Sequence, residues 1–261
     1  LYHFIRLCYP VFGESEGKNM TMITPNQVQI HEVGNPMLRQ YLLETPLGWI
    51  AIDSGYAGGF AAYSRRVPID QIKFVFLTHA HNDHAGFLAE LLQKSGAVLV
   101  VCEASLPRLS SGENVLPEGT GFTSRFGLTM SAMMKHSVFS PVLPKDGDII
   151  LTSEADQPFQ TMGLPLRVVW LPGHTADSIG LYLEETRALF CGDAAGNAII
   201  APARQAMLIE DIPAFAQSWD KIIAMNPSRI YPAHGNPFSP NDLFTYRERL
   251  DHLKLFYPKK H

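Results

Sequence analysis

A six-residue run, His79-Ala80-His81-Asn82-Asp83-His84, stands where a buried strand gives way to a helix, and it limits what this chain can become. The strand is Lys73-Phe-Val-Phe-Leu-Thr78; the helix expected over 83–95 gathers Phe87, Leu88, Leu91 and Leu92 on one face. Side chains of an extended segment alternate with period two, so His79 and His81 point to the same side. Asp83 and His84 follow at the turn and can face the same space from the other flank. Three imidazoles and a carboxylate suit zinc, and also iron or manganese.

The rest of the chain supplies a scaffold of the right kind. Strand-like runs at 27–33, 39–44, 48–53, 97–102, 166–171, 179–183 and 187–191 are punctuated by Gly, Pro and Asn turn signals. A helix at 211–225 places Ile212, Phe215, Ala216, Trp219, Ile222 and Ile223 at helical spacing. A last helix opens with Ser239 as N-cap and Pro240 in its first turn. With 261 residues, 46% of them apolar, the chain can bury a large core. Strands alternating with helices imply an α/β fold of two packed sheets with helices outside.

Three more ligand-type residues close strands. His174 lies in Leu171-Pro-Gly-His-Thr175, Asp193 in Phe190-Cys-Gly-Asp193, and His234 in Ile230-Tyr-Pro-Ala-His-Gly235. The carboxyl ends of strands are where open α/β sheets gather ligands. A buried, satisfied core histidine is the alternative for any single one of them. The three cysteines, Cys8, Cys102 and Cys191, occupy none of these positions, so the set is all nitrogen and oxygen.

Taken in order from about Asp53 to Gly235, these elements resemble those of the metallo-β-lactamase superfamily. The resemblance implies a four-layer αββα sandwich with metals at one edge, between the two sheets. It implies that His79, His81 and His174 hold a first divalent ion and that Asp83, His84 and His234 hold a second, with Asp193 bridging. Asp53, in Ile52-Asp53-Ser54-Gly55, matches a position that supports the site from behind the ligands. Zinc is the first expectation, with iron or manganese as alternatives.

The expected chemistry is metal-assisted hydrolysis: two cations sharing Asp193 would lower the pKa of a bridging water from about 16 towards neutrality. Asp83 could accept or relay the proton as a catalytic residue. No Gly-x-Ser-x-Gly nucleophile elbow is present. True β-lactamases of this superfamily carry cysteine where Asp193 stands, or no bridging residue. An ester, lactone or thioester is therefore the expected substrate bond. A β-lactam-like amide, a phosphodiester, or a non-catalytic metal-loaded sensor are the alternatives.

Composition narrows the partners to a small molecule. A formal charge of −4 and a pI near 6.2, without a basic run, disfavour nucleic acid. No stretch approaches the roughly 18 apolar residues of a membrane helix. The segment 103–145 reads as a cap-like insertion in a single domain over 22–261. Its Phe122, Phe126, Met130, Met133, Met134 and Phe139 are either core packing or the lining of an apolar substrate pocket. Such a cap would suit a homodimer. Residues 1–21 read as an extension or as a first strand near Tyr2–Leu7. No convincing secretory signal is read there, so the expectation is cytoplasmic. His136 reads as a surface residue or a substrate contact, and His3, His31, His252 and His261 as solvent-exposed.

Overall fold

The computed structural model describes residues 28–134, 138–198 and 202–258, with the side chains of 130–134 and 202 left out. The expectations for residues 1–21, His136, His261 and the side chains of Met130, Met133 and Met134 fall outside that range.

Two sheets form because two families of strands each bury both faces. The first sheet contains β1 (Gln29–Asn35), β2 (Leu38–Thr45), β3 (Gly48–Ile52), β4 (Ile72–Phe76) and β5 (Val98–Cys102). Past the short β6 (Gly121–Phe122), β7 (Ile149–Leu151) completes it, in the order β1-β2-β3-β4-β5-β7. The second sheet takes β8 (Leu166–Trp170), β9 (Ile179–Leu183), β10 (Ala188–Gly192) and β12 (Arg229–Pro232), in the order β12-β10-β9-β8. Between them in sequence, β11 (Leu208–Ile209) pairs with β6 instead.

Period-two alternation sorts the strand side chains into layers. Tyr41, Leu43, Ile50, Ile52, Phe76 and Val100 of the first sheet meet Leu166, Val168, Ile179, Leu181 and Phe190 of the second. Their neighbours Leu42, Ala51, Val75, Leu99 and Val101 face the other way. They pack beneath α1 (Phe60–Tyr63), α3 (Leu88–Ser95) and α4 (Leu106–Ser111). On the far side Val169, Tyr182, Leu189 and Cys191 lie beneath α7 (Ile212–Met225) and α8 (Pro240–Tyr246). Three apolar layers separate four layers of secondary structure, and this is the αββα sandwich. The sheets are also joined at the site's end, where Ile179 N donates to Thr78 O at 2.9 Å and Arg39 N to Ala233 O at 2.7 Å.

Several sequence expectations change. The helix expected over 83–95 is two: α2 (Asn82–Ala85) and α3. A Cβ on Gly86 would stand 2.3 Å from Ala57 N and 2.4 Å from Gly55 O, so the 55–57 backbone lies directly on this glycine. The chain then leaves helical geometry at Phe87 (φ −114°, ψ 21°). In the 103–145 segment, which includes α5 (Arg125–Met134), the apolar residues divide instead of forming one lining. Phe122 is fully buried and Phe139 joins the core under the first sheet, whereas Phe126 is 54% exposed. His31 is not a free surface residue: its ring stacks on Trp49 at 4.7 Å and its Nε2 lies 3.1 Å from Glu44 Oε2. No helix among the described residues is long and apolar enough to cross a membrane.

Candidate metal centre

Every predicted ligand follows the carboxyl end of a strand, at one edge between the sheets. β4 leads into His79, His81, Asp83 and His84; β8 leads to His174, β10 to Asp193 and β12 to His234. Three donor groups result, each with ligand atoms within 4.8 Å of one another: His79-His81-His174, Asp83-His84-His234 and His79-His84-Asp193. The first two are the triads expected from sequence. Asp193 lies between them: its carboxylate is 3.5 Å from His174 Nε2, 3.6 Å from His84 Nε2 and 3.4 Å from His234 Nε2.

The hydrogen bonds behind the rings fix which nitrogens face inward. His174 Nδ1 donates to Leu208 O at 2.9 Å, and His234 Nδ1 to Met37 O at 2.6 Å. His84 Nδ1 donates to Asp53 Oδ2 at 2.8 Å. Thr78 Oγ1 also donates to Asp53 Oδ2 (2.9 Å), leaving its oxygen to accept from His79 Nδ1 at 3.1 Å. Each of these four rings therefore directs Nε2 inward. Asp53 is itself held firmly behind the rings. It sits at φ 61°, an uncommon conformation for a residue other than glycine, and its Oδ1 accepts the Thr78 N–H at 2.7 Å.

The converging atoms fit cations. Two donors about 2.1 Å from a common ion at the tetrahedral angle lie about 3.4 Å apart. His79 Nε2, His81 Nδ1 and His174 Nε2 are mutually 3.1 Å apart, and His234 Nε2 is 3.2 Å from Asp83 Oδ2. His84 Nε2 and Asp193 Oδ1 are buried and lack any hydrogen-bond partner. Buried polar atoms are normally satisfied, and an imidazole nitrogen and a carboxylate oxygen left unpaired at one point are the donors that suit a cation.

Electrostatics divides the two triads. Burial, reinforced by His84 and His174, holds His79 and His81 well below the ordinary imidazole range, so their lone pairs stay available. Burial acts the same way on His84, but Asp53, Asp83 and Asp193 overcome it and lift the ring to about 9. Against the same desolvation, Asp193 and Asp83 lift His234 to about 10. Burial opposes ionisation of Asp83, yet His84 and His234 hold it well below the usual carboxylate range.

Sequence reasoning missed the groups behind the loops: Asp177, Arg108, Glu210, and the carbonyls of Leu208 and Met37. Asp177, three residues after His174, was the one with a local signal. Gly173 is the tightest point. At φ +129°, its Cβ would meet Phe215 N at 2.2 Å, so the His174 loop lies flat against α7. Gly173→Ala is expected to destabilise the fold by about 1–3 kcal/mol, measured by chemical denaturation. An unchanged midpoint would show that the loop relaxes freely.

A profile of the metallo-beta-lactamase superfamily matches residues 39–234, and the chain belongs to that superfamily. Its members are mostly metal-dependent hydrolases, and this chain is an enzyme of that kind. The metallo-beta-lactamase fold-containing protein ST1585 of Sulfurisphaera tokodaii is 26% identical over 215 residues, covering 81% of this chain and 75% of the relative. Its crystal structure superposes with a TM-score of 0.62 at 20% identity, over 88% of this chain and 89% of that one. Thioesterase pkgB of Emericella nidulans is 27% identical over 201 residues, covering 75% of this chain and 45% of the relative. The structure of TTHA1623 in a di-iron-bound form superposes with a TM-score of 0.59 at 22% identity, over 82% of this chain and 96% of that one. The chain spans about half the length of most curated relatives it matches.

Proposed function

We propose that the chain is a dinuclear hydrolase cleaving an ester, lactone or thioester bond in a small molecule with an apolar group. The observation that carries this reading is Asp193, within 3.6 Å of histidines from both triads, in a donor set made wholly of nitrogen and oxygen. His79, His81 and His174 would hold one divalent ion, Asp83, His84 and His234 the other, and Asp193 would touch both. When bound, such ions supply Lewis acidity towards the scissile carbonyl and a water of lowered pKa at neutral pH. Zinc is the first choice for an imidazole-rich set; iron or manganese is the alternative, and one structural neighbour was solved with two irons.

The chain's own residues do the rest. Asp53 and Thr78 lock His84 and His79 in one tautomer, so the donors are preorganised. Asp83, held as a carboxylate, is the group placed to take up or relay a proton. Two residues with exposed side chains belong to elements next to the ligands: Met37, 71% exposed, whose backbone carbonyl accepts from His234, and Tyr56, 45% exposed. Burial and the charges of Asp83 and Asp193 push the Tyr56 phenol above its ordinary range. Together they offer contact to an apolar acyl or alkyl group, and the relative named a thioesterase favours acyl transfer to water.

The test is a hydrolysis panel of aryl esters, acyl-homoserine lactones, acyl thioesters, a β-lactam and a phosphodiester, run with a metal count. Turnover of an ester, lactone or thioester, lost on chelation and restored by zinc, manganese or cobalt, is the expected result. Protein loaded with two ions that cleaves none of these three would sink the reading. Cleavage of only the β-lactam or the phosphodiester would assign the site to that bond.

A further inference from the structure

We infer that Arg108 is a positioning residue for the first triad, clamping the 103–115 segment onto both loops that carry His79, His81 and His174. The inference rests on the metal reading above, but its geometry is independent of which bond is cleaved. Arg108 lies on α4, with its side chain 13% exposed. Nη1 donates to Asp177 Oδ1 at 3.1 Å, and Nη2 donates to Glu210 Oε1. These carboxylates stand 69 and 102 positions further along the chain.

Each carboxylate passes the hold on to a ligand loop. Asp177, 1% exposed, accepts the backbone N–H of Ala80 at 2.9 Å through Oδ2, and Ala80 is the residue between His79 and His81. The same Oδ2 accepts from Ser105 Oγ at 2.6 Å, a second tie to the 103–115 segment. Glu210 Oε2 accepts the Ala176 N–H at 3.1 Å, and Glu210 N donates to Gly173 O at 2.9 Å. Glu210 thereby grips the His174 loop on both sides of the ligand. The three nitrogens of the first triad come from two loops, and one planar guanidinium fixes the spacing of those loops. A lysine, with a single point charge, cannot span both carboxylates in this way.

Coulomb's law and positioning predict opposite signs, which makes the idea decidable. Removing a cation near a metal site should tighten cation binding if charge is all that matters. Losing the clamp should loosen it. Arg108→Met is therefore expected to lower cobalt(II) affinity at one of two sites by about 10- to 100-fold. That would be measured by titration against a competing chelator. The ion that remains should show the absorption spectrum seen in His174→Ala, which lacks a ligand of the same triad. In the metal-free protein, hydrogen exchange at the Ala80 amide should quicken at least tenfold, and Arg108→Lys should recover only part of either loss.

Unchanged or tighter affinity at both sites, or an equal fall at both, overturns the inference. Should Arg108→Met fail to fold, Glu210→Gln decides by the same readouts: a smaller loss confined to the same site supports the clamp, and none overturns it. If the native chain binds no cobalt, the hydrolase proposal falls, and Ala80 exchange in the metal-free variants still decides the role of Arg108.

Discussion

Asp193→Ala is expected to lower kcat/KM on the substrate identified by the panel by about a thousandfold, since a metal site supplies several kcal/mol of transition-state stabilisation. Ion content should fall below two per chain at the same time. The reason lies in position. β10 delivers this carboxylate between the triads, within 3.4–3.6 Å of His174, His84 and His234. Its Oδ1 is buried without a partner, so no existing hydrogen bond would compensate the site once the charge is gone. Asp193→Asn separates shape from charge. It fills the same volume, and if charge is what matters it should lose nearly as much activity as alanine. Asn activity within tenfold of the native chain, with two ions still bound, would show that Asp193 is not the shared ligand.

How far the sequence could be read depended on the range of each signal. Layering was readable because alternation is local: Leu42 against Tyr41 and Leu43, or Val75 against Phe76, assigns each face within three residues. The His79–His84 run was readable for the same reason. His174, Asp193 and His234 were each only a ligand-type residue beside Gly or Pro; their order along the chain, matched to a known pattern, is what joined them. The break at Gly86 was hidden because its cause, the backbone of 55–57, is some 30 positions away. Arg108, Asp177 and Glu210 were hidden for a stronger version of that reason: nothing in the sequence pairs an arginine with carboxylates 69 and 102 residues later. The apolar run 122–139 left core packing and pocket lining both open, because periodicity reports that a side chain is apolar, not which layer it enters. Phe122 and Phe139 are buried, while Met37, in a turn with no apolar pattern, holds His234 through its backbone carbonyl.

The metal-free protein is expected to be most stable near pH 6.5, losing stability on either side, and to release protons when it binds metal at pH 7. His84 and His234 have folded values of about 9 and about 10, above the ordinary 6.5 of the unfolded chain. Their stabilising contribution is complete below 6.5 and is lost as pH rises through those folded values. His79 and His81 are depressed, so their contribution is present above 6.5 and is lost as pH falls below it. Asp83 is also depressed, and its contribution goes only on stronger acidification, below 3.8. The two histidine groups thus bound the stable window from opposite sides. At pH 7 the acid-rich triad holds protons where the second ion would sit, because three carboxylates draw a positive charge into a buried space whether it comes from a proton or a metal. Binding must expel those protons. Calorimetric titration of zinc at pH 7, in two buffers of different ionisation enthalpy, should therefore give heats that differ in proportion to proton release. Affinity for the second ion should weaken as pH falls from 9 towards 6. Identical heats in the two buffers would mean that His84 and His234 are already neutral in the metal-free chain.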